Sequence, residues 1–556
     1  MQCITNSVTS PETHAAPRRA NCVWTPSIAR MFASLQSVVA INNFLTVRDP
    51  ALDYTKVEAN TPILVGSGQI TQRIPEDLAT VLGPIDLMME CVRHAATDAG
   101  LEEKDLRTAD SLRVVHFMTG VYEDPVGLLA QRLGVSAQDM MYTSIGGNSP
   151  QMLVNATAEA LSEGRIRLAI LAGVEALGST VAAMKQGITP DWVERDGAGP
   201  GVEPPSFAGT ADYEVPYEFQ RPINVYPLFE NAIRAHNGWS IDEHMRRLGE
   251  LFAPMSRVAA QHPGAWFPNE YTPEEISTVT KDNRMIGFPY TKRMNAVIRV
   301  DQSAAVIMTT VGAAREIGID PGRWVFLHGC ADAADHWLVS ERENYYASPA
   351  HRIAGRTALD MAGVPISDIE YVDLYSCFPS AVQIGRDALG IDPDDPRPLT
   401  VTGGLPYHGG PANNYVMHAI ATTMDRLRAK PGSFGICTAM GWYITKHAIG
   451  IYSTSPVEGT WKREDPAVCQ AEIDARPKPE IAIEASGPCT VETYTVLHER
   501  SGPERGIVVG RLEDDRRFLA VTPEDPALWE RMMTEEIIGK QGRVAPGKQT
   551  NTFTLD

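Results

Sequence analysis

The chain has 556 residues, 43% hydrophobic and 21% charged, and its 49 Lys+Arg against 69 Asp+Glu give a net charge of -20. This is a globular composition with room for about two to four domains, and it excludes a small disulfide scaffold or wholesale disorder. The acidic balance argues against nucleic acid or an anionic membrane as partner, and no apolar run reaches the roughly 18 residues needed to span a bilayer.

Eight cysteines, Cys3, Cys22, Cys91, Cys330, Cys377, Cys437, Cys469 and Cys489, are scattered without a CxxC pair or zinc spacing. No metal is therefore expected, and reduced thiols point to a cytoplasmic protein. Residues 1–60 read as an N-terminal extension. Arg18, Arg19 and Arg30 with few acids faintly resemble a transit peptide.

The folded part is expected to open at Thr61, with a buried strand at Pro62–Gly66. A helix over Pro84–Ala99 follows, ended by Gly100, then a strand over Ser111–Met118. Asp124 and Pro125 start a helix that runs to Leu133. The loop Ile145-Gly-Gly-Asn-Ser-Pro150 feeds a small-residue helix, Gln151–Ser162, and Leu168–Gly173 is a continuous apolar strand. Strands apolar on both faces, alternating with helices, predict a layered α/β fold.

Residues 186–290 break that alternation and read as an inserted cap, Gly/Pro-rich over Asp196–Pro205 and helical over Ile241–Gln261. The pattern resumes with a strand over Val297–Thr309. Residues 456–480 are polar and proline-containing, a linker by composition. Strand-like runs at Cys489–Leu497, Gly506–Leu512, Arg517–Val521 and Gly542–Leu555, with a helix over Ala527–Ile538, predict a small β domain over 481–556.

An internal repeat organises the rest. Ala99-Gly100-Leu101 with Asp105-Leu106 recurs 263 residues later as Ala362-Gly363-Val364 with Asp368-Ile369. Gly146-Gly147 recurs at the same offset as Gly409-Gly410. The halves are therefore 61–185 and, with a return strand, 291–455. A Gly-Gly loop entering a helix N-terminus offers backbone N–H groups to a carbonyl oxygen that becomes negative, or simply allows a tight turn.

Four short motifs in order resemble the thiolase superfamily over nearly all of 61–455. Leu171-Ala-Gly-Val-Glu-Ala176 is similar to its "AGGVES" strand end, and Asp301-Gln302-Ser303-Ala304-Ala305 to its "DGAAA" strand. Asp373-Leu-Tyr-Ser-Cys-Phe378 lies where the sterol-carrier-protein type reads "HDCF". Gly403-Gly404-Leu405 with Gly409-Gly410-Pro411 resembles the "GGL…GHP" loop. The resemblance implies a five-layered αβαβα thiolase fold from two duplicated halves sharing one site, with an OB-like β domain appended. It further implies a homodimer that handles acyl-CoA thioesters, with coenzyme A as substrate or co-substrate.

The departures fall on the chemistry. The register of the thiolase nucleophilic Cys falls on Gly146 or Gly147, flanked by Ser144 and Ser149. The "GHP" histidine falls on Gly410, with His408 two residues earlier, and the "HDCF" histidine is Tyr375. The second thiolase cysteine matches Cys437 or, one residue on, Thr438. Expected site residues are thus Cys437, His408, Tyr375 and His418 as catalytic groups, with Gly146, Gly147, Asn148, Ser149, Gly409 and Gly410 around the substrate oxygen.

Three functions fit. One is acyl transfer or carbon–carbon cleavage or formation on a β-oxoacyl-CoA, with Cys437 and His408 in a non-standard site. The second is a retro-aldol lyase acting on a β-hydroxyacyl-CoA, with Tyr375 as base or relay, as in the steroid side-chain aldolases of the superfamily. The third is a non-catalytic acyl-CoA-binding protein of the same fold. Glu175, His447, and the basic residues Arg221, Arg246, Arg247, Lys292 and Arg293 rank below these as pocket or phosphate contacts.

Overall fold

The computed structural model describes residues 38–40, 53–120, 122–190, 192, 202–204 and 207–556. Arg18, Arg19, Arg30 and residues 196–201 of the Gly/Pro-rich stretch lie outside the described residues. A strand precedes the expected start: β1 (Val38–Ala40) pairs antiparallel with β2 (Pro62–Gln72).

The first half then supplies β3 (Ser111–Val114), β4 (Asp139–Tyr142) and β5 (Leu168–Ala176). The insertion contributes β6 (Met285–Gly287) and β7 (Tyr290–Thr291), and β8 (Asp301–Thr310) returns to the body. The second half holds β9 (Val325–Ala334), β10 (Ile369–Asp373), β11 (Phe434–Gly441) and β12 (Lys446–Ser453). The sheet runs β4-β3-β5-β8-β2 in one half and β10-β11-β12-β9 in the other. Pairing is parallel at the outer edge of each half, β4-β3-β5 in the first and β10-β11 in the second, and then antiparallel twice. The second repeats the first except that, among the described residues, nothing replaces β4. Leu399 instead closes that edge, accepting from the Leu374 N–H at 3.0 Å. The halves join where Ile63 and Leu64 pair with Phe326 and Val325.

Helices of more than two turns fill the layers. These are α1 (Pro84–Ala99), α2 (Pro125–Leu133), α3 (Ser149–Ser162), α4 (Leu177–Lys185), α5 (Pro222–His236), α6 (Ile241–Gln261), α7 (Pro349–Ala362), α8 (Pro379–Leu389) and α9 (Tyr415–Ala429). The equivalent helices α1 and α7 pack on β2 and β9 respectively, each ended by a glycine in the left-handed region, Gly100 at φ 73° and Gly363 at φ 66°. Residues with a Cβ resist that conformation, so these two caps mark both copies in the sequence. Helices α3 and α9 touch strands of both halves and each other, forming the shared middle layer. The order is helix, sheet, helix, sheet, helix, the five-layered arrangement expected.

The β3 strand stops at Val114, short of the expected Met118, because side chains take over its backbone. The Thr143 hydroxyl accepts from the His116 N–H at 2.9 Å, and the Glu175 carboxylate accepts from Met118 N at 3.0 Å and Thr119 N at 2.8 Å. Glu175 therefore organises a loop. Residues 456–480 are no free linker. Trp461 is buried with its indole N–H donating to the Leu327 carbonyl at 2.7 Å, Arg463 pairs with Asp332 at 2.7 Å, and α10 (Pro466–Asp474) buries Cys469 and Ile473. Polar composition concealed three anchors.

At the C-terminus β13 (Gly487–Glu499), β14 (Gly502–Leu512) and β15 (Arg517–Val521) are followed by α11 (Pro526–Thr534), β16 (Gln541–Ala545) and β17 (Asn551–Leu555). The order β13-β14-β15-β17-β16-β13 closes a five-strand barrel, with β15 and β17 parallel, consistent with an OB-like domain. The expected single strand over 542–555 is two, broken at Pro546-Gly547. The insertion is stitched to this barrel: Gly287 pairs with Leu497, and the Asn231 amide donates to the Phe288 and Tyr494 carbonyls at 3.1 and 2.8 Å.

Candidate functional site

The two Gly-Gly loops meet where α3 and α9 begin. The Gly146 N–H donates to Asn413 Oδ1 at 3.0 Å, and Asn413 Nδ2 donates to the His116 carbonyl at 2.8 Å. The first loop is held from below by Ser149, whose hydroxyl donates to the Ser144 carbonyl at 3.1 Å, which makes Ser149 a structural residue. In the second loop the Gly410 N–H likewise has a partner, donating to the Val297 carbonyl at 2.8 Å.

Tyr375 fills the place of the missing nucleophile. A Cβ on Gly147 would clash with the Tyr375 hydroxyl, sit 2.7 Å from its Cζ, and lie 2.5 Å from the Met440 carbonyl. Burial, with the neighbouring Cys377, pushes the phenol well above its usual range. The Tyr375 phenol is thus neutral and placed as a hydrogen-bond donor beside the N-terminus of α3. Its backbone N–H donates to Thr438 Oγ1 at 3.0 Å, so Thr438 sets the position of the ring's backbone.

Cys437 is separate from this group. It is fully buried, its Sγ is 3.3 Å from Thr423 Oγ1 on α9, and burial followed by the nearby Asp373 pushes its thiol far up. A protonated, solvent-free thiol is neither a nucleophile nor a ready acid. Asp373 is itself raised to about 7 by burial, against hydrogen bonds from the Val401 N–H and the Thr400 hydroxyl. The six cysteines among the described residues are all buried and unpaired.

His408 and His418 also stand apart from Gly147, with an unexpected third member. The His408 ring lies 4.9 Å from His262, 5.2 Å from His418 and 6.1 Å from Tyr415, whose ring is in turn 5.9 Å from Tyr375. His262 Nδ1 accepts from the Gly264 N–H at 3.1 Å, leaving Nε2 to meet Thr422 Oγ1 at 3.1 Å. His418 Nδ1 meets Gln69 Oε1 at 3.0 Å. Burial lowers all three, His262 to about 4 and His418 to about 3, so the cluster is neutral and packs the middle layer. His447 belongs elsewhere too, between Ser348 Oγ at 3.1 Å and Asp335 at 3.6 Å.

The residue that sequence reasoning passed over is Lys446. It opens β12 after the hairpin Gly441–Thr445, in which Trp442 (φ 55°) and Ile444 (φ 58°) adopt the left-handed region. For a β-branched residue this is strained backbone, of the kind that clusters at functional sites. Buried Arg342 holds it, donating to the Ile444 carbonyl at 2.8 Å, the Tyr443 carbonyl at 2.9 Å and Thr445 Oγ1 at 2.7 Å. Lys446 Nζ then donates to the Ile145 carbonyl at 2.6 Å, immediately before Gly146, and burial lowers its amine to about 8. The only available signal was the odd spacing of a lysine between a Gly-ended strand and an apolar one.

The basic residues proposed for phosphates are dispersed. Arg221 pairs with Glu218 at 2.9 Å, Arg247 pairs with Glu243 at 2.9 Å and stacks on Trp239, Arg246 pairs with Glu250, and Arg293 lies over Tyr271.

Two half-sheets of one strand order around two shared central helices, with both Gly-Gly loops at the helix starts, define a thiolase-type fold. A crystal structure of a monomeric SCP2-thiolase-like protein type 1 from Mycobacterium smegmatis is 34% identical, with TM-score 0.78, over 90% of this chain and 100% of that one. Residues 469–549 match the family described as thiolase-like protein type 1 additional C-terminal domain. The chain belongs to the SCP2-thiolase-like protein type 1 family. A 3-ketoacyl-CoA thiolase from Erwinia tasmaniensis is 29% identical over 163 residues, which span 26% of this chain and 35% of that enzyme. The chain therefore covers about a third of the curated thiolases it matches. An Ltp2-ChsH2(DUF35) aldolase shares the fold at 18% identity and TM-score 0.52, over 70% of this chain and 97% of that one.

Proposed function

We propose that the protein binds a CoA thioester at the Gly146-Gly147 loop and makes or breaks the carbon–carbon bond beside the thioester without a covalent acyl-enzyme. The observation that carries this is the Tyr375 phenol in the space where a side chain at 147 would begin. Acyl transfer needs an acyl holder. Gly147 has none, and Cys437 is a buried neutral thiol packed on α9. A retro-aldol step needs only loss of the β-hydroxyl proton to a base, cleavage of the Cα–Cβ bond, and donors for the thioester enolate that receives the electron pair. The neutral Tyr375 phenol and the N-terminus of α3 supply donors of that kind. An Ltp2-ChsH2(DUF35) aldolase is among the proteins that share this fold.

The test is to incubate the protein with a β-hydroxyacyl-CoA, and separately with a β-oxoacyl-CoA plus free CoA, and to resolve products by mass. A shorter acyl-CoA plus an aldehyde or ketone from the first supports the reading. Two shorter acyl-CoAs from the second would replace it with acyl transfer, and binding without turnover would leave an acyl-CoA-binding protein.

A further inference from the structure

The surroundings of Gly146 hold a charge that the reaction above has not used. Lys446 Nζ lies 2.6 Å and its Cε 2.8 Å from the point where a side chain on Gly146 would begin, and the Asn148 side-chain oxygen crowds the same point. Gly441, across the hairpin, would place a Cβ 2.9 Å from Lys446 Cε and against the same Asn148 oxygen. Two glycines, having no side chains, thus let an ammonium and an amide oxygen close in on the backbone of the loop that starts α3.

Neither polar group is satisfied as it stands. Asn148 is only 6% exposed and its Oδ1 has no hydrogen-bond partner. Lys446 gives one hydrogen bond, to the Ile145 carbonyl, and among the described residues it makes no ion pair. A half-buried ammonium with spare donors and no counter-charge is costly unless something negative shares its site. Desolvation alone depresses the amine to about 8, so at neutral pH it is still mostly charged.

We propose that Lys446 is a catalytic residue whose ammonium donates to the substrate's thioester oxygen as that oxygen becomes negative, while Asn148 Oδ1 accepts from a substrate or water hydroxyl beside it. The inference rests on acyl-CoA binding at this loop. It assigns the charge-stabilising role to a lysine, where the loop's backbone and the Tyr375 phenol would otherwise act alone. The strained Gly441–Thr445 hairpin, clamped by Arg342, fixes the amine at this spot.

The full-length protein is treated with formaldehyde and a borane reductant, and methylation of each lysine is followed by peptide mass with no ligand, with CoA, and with acetoacetyl-CoA. Calorimetry measures both ligands in parallel. Bound acetoacetyl-CoA is expected to slow methylation of Lys446 about ten-fold, whereas CoA, lacking the acyl oxygen, leaves the rate unchanged. In Lys446→Met the affinity for acetoacetyl-CoA is expected to fall about ten-fold relative to that for CoA, a ratio that a purely structural lysine would not move. If acetoacetyl-CoA binds and the Lys446 rate is unaltered, the assignment of Lys446 is wrong although the acyl-CoA reading survives. If neither ligand binds, the acyl-CoA reading fails and the inference falls with it.

Discussion

The ring of Tyr375 and the backbone of Gly147 share one van der Waals space. Any side chain at 147 would begin 2.7 Å from Tyr375 Cζ and 2.5 Å from the Met440 carbonyl on β11. Gly147→Ala should therefore lower stability by about 1–3 kcal/mol through overpacking. In a Tyr375→Ala background part of that cost should disappear, a coupling of about 1 kcal/mol in a double-mutant cycle of urea midpoints. Equal costs in the two backgrounds would contradict the shared space.

Tyr375→Phe keeps the ring and removes the donor. Turnover of a β-hydroxyacyl-CoA should drop about 100-fold, as for loss of one oxyanion donor, with the unfolding midpoint nearly unchanged. Unaltered turnover would remove Tyr375 from the chemistry.

Cys437 should behave as a core thiol. In the native protein at neutral pH its peptide should stay unmodified by iodoacetamide for hours, then react once urea unfolds the chain, because burial and Asp373 hold the thiol protonated. Rapid native labelling would reinstate Cys437 as a nucleophile.

Asp373 gives a signed pH effect. Its folded carboxyl titrates near 7 because it is buried, against an unfolded value near 3.8, so the folded state holds a proton that the unfolded state has lost. Stability should fall as pH rises from about 4 to about 7, by at most about 4 kcal/mol from this group. The neutral Asp373→Asn should lose less stability than the parent between pH 5 and pH 7.5. Parallel urea midpoints for the two proteins would refute this assignment.

Much of the body was legible because its signals are local. Gly100 and Gly363 are left-handed caps and Gly146 and Gly409 open the buried helices, so a constant offset of 263 residues carried the whole second half. The site was less legible because its decisive neighbours come from distant strands. Lys446 and His447 are adjacent in sequence, yet on β12 their side chains leave opposite faces, one to Ile145 and the other to Ser348. His408 lies two residues from the expected position, which turned its ring toward His262 and α9. The supposed linker failed for another reason: Cys469 and Ile473 do stand four apart on α10, but two apolar residues among prolines and charges are too few to read as a buried face.

Arg517 ties the barrel to the body. Fully buried, it pairs with Glu492 and donates to the Ser340 carbonyl at 2.7 Å and to the Arg342 carbonyl. Arg517→Met should cost about 2 kcal/mol by stranding the Ser340 and Arg342 carbonyls, with Glu492 left to Arg511, and should speed proteolysis near residues 476–486. A cut rate equal to the parent's would mean that the barrel is held without it.

The pairing of Gly287 with Leu497 sets an order of assembly. During synthesis residues 222–291 leave the ribosome some 200 residues before the strand that completes their layer. Until then the underside of α5 and the edge of β6 face water, with Asn231 short of the Tyr494 carbonyl that it meets in the finished protein. The insertion therefore cannot settle before the β13–β17 barrel is made, and a nascent or truncated protein ending after β12 would carry both Gly-Gly loops with α3 and α9 beside an unfinished insertion.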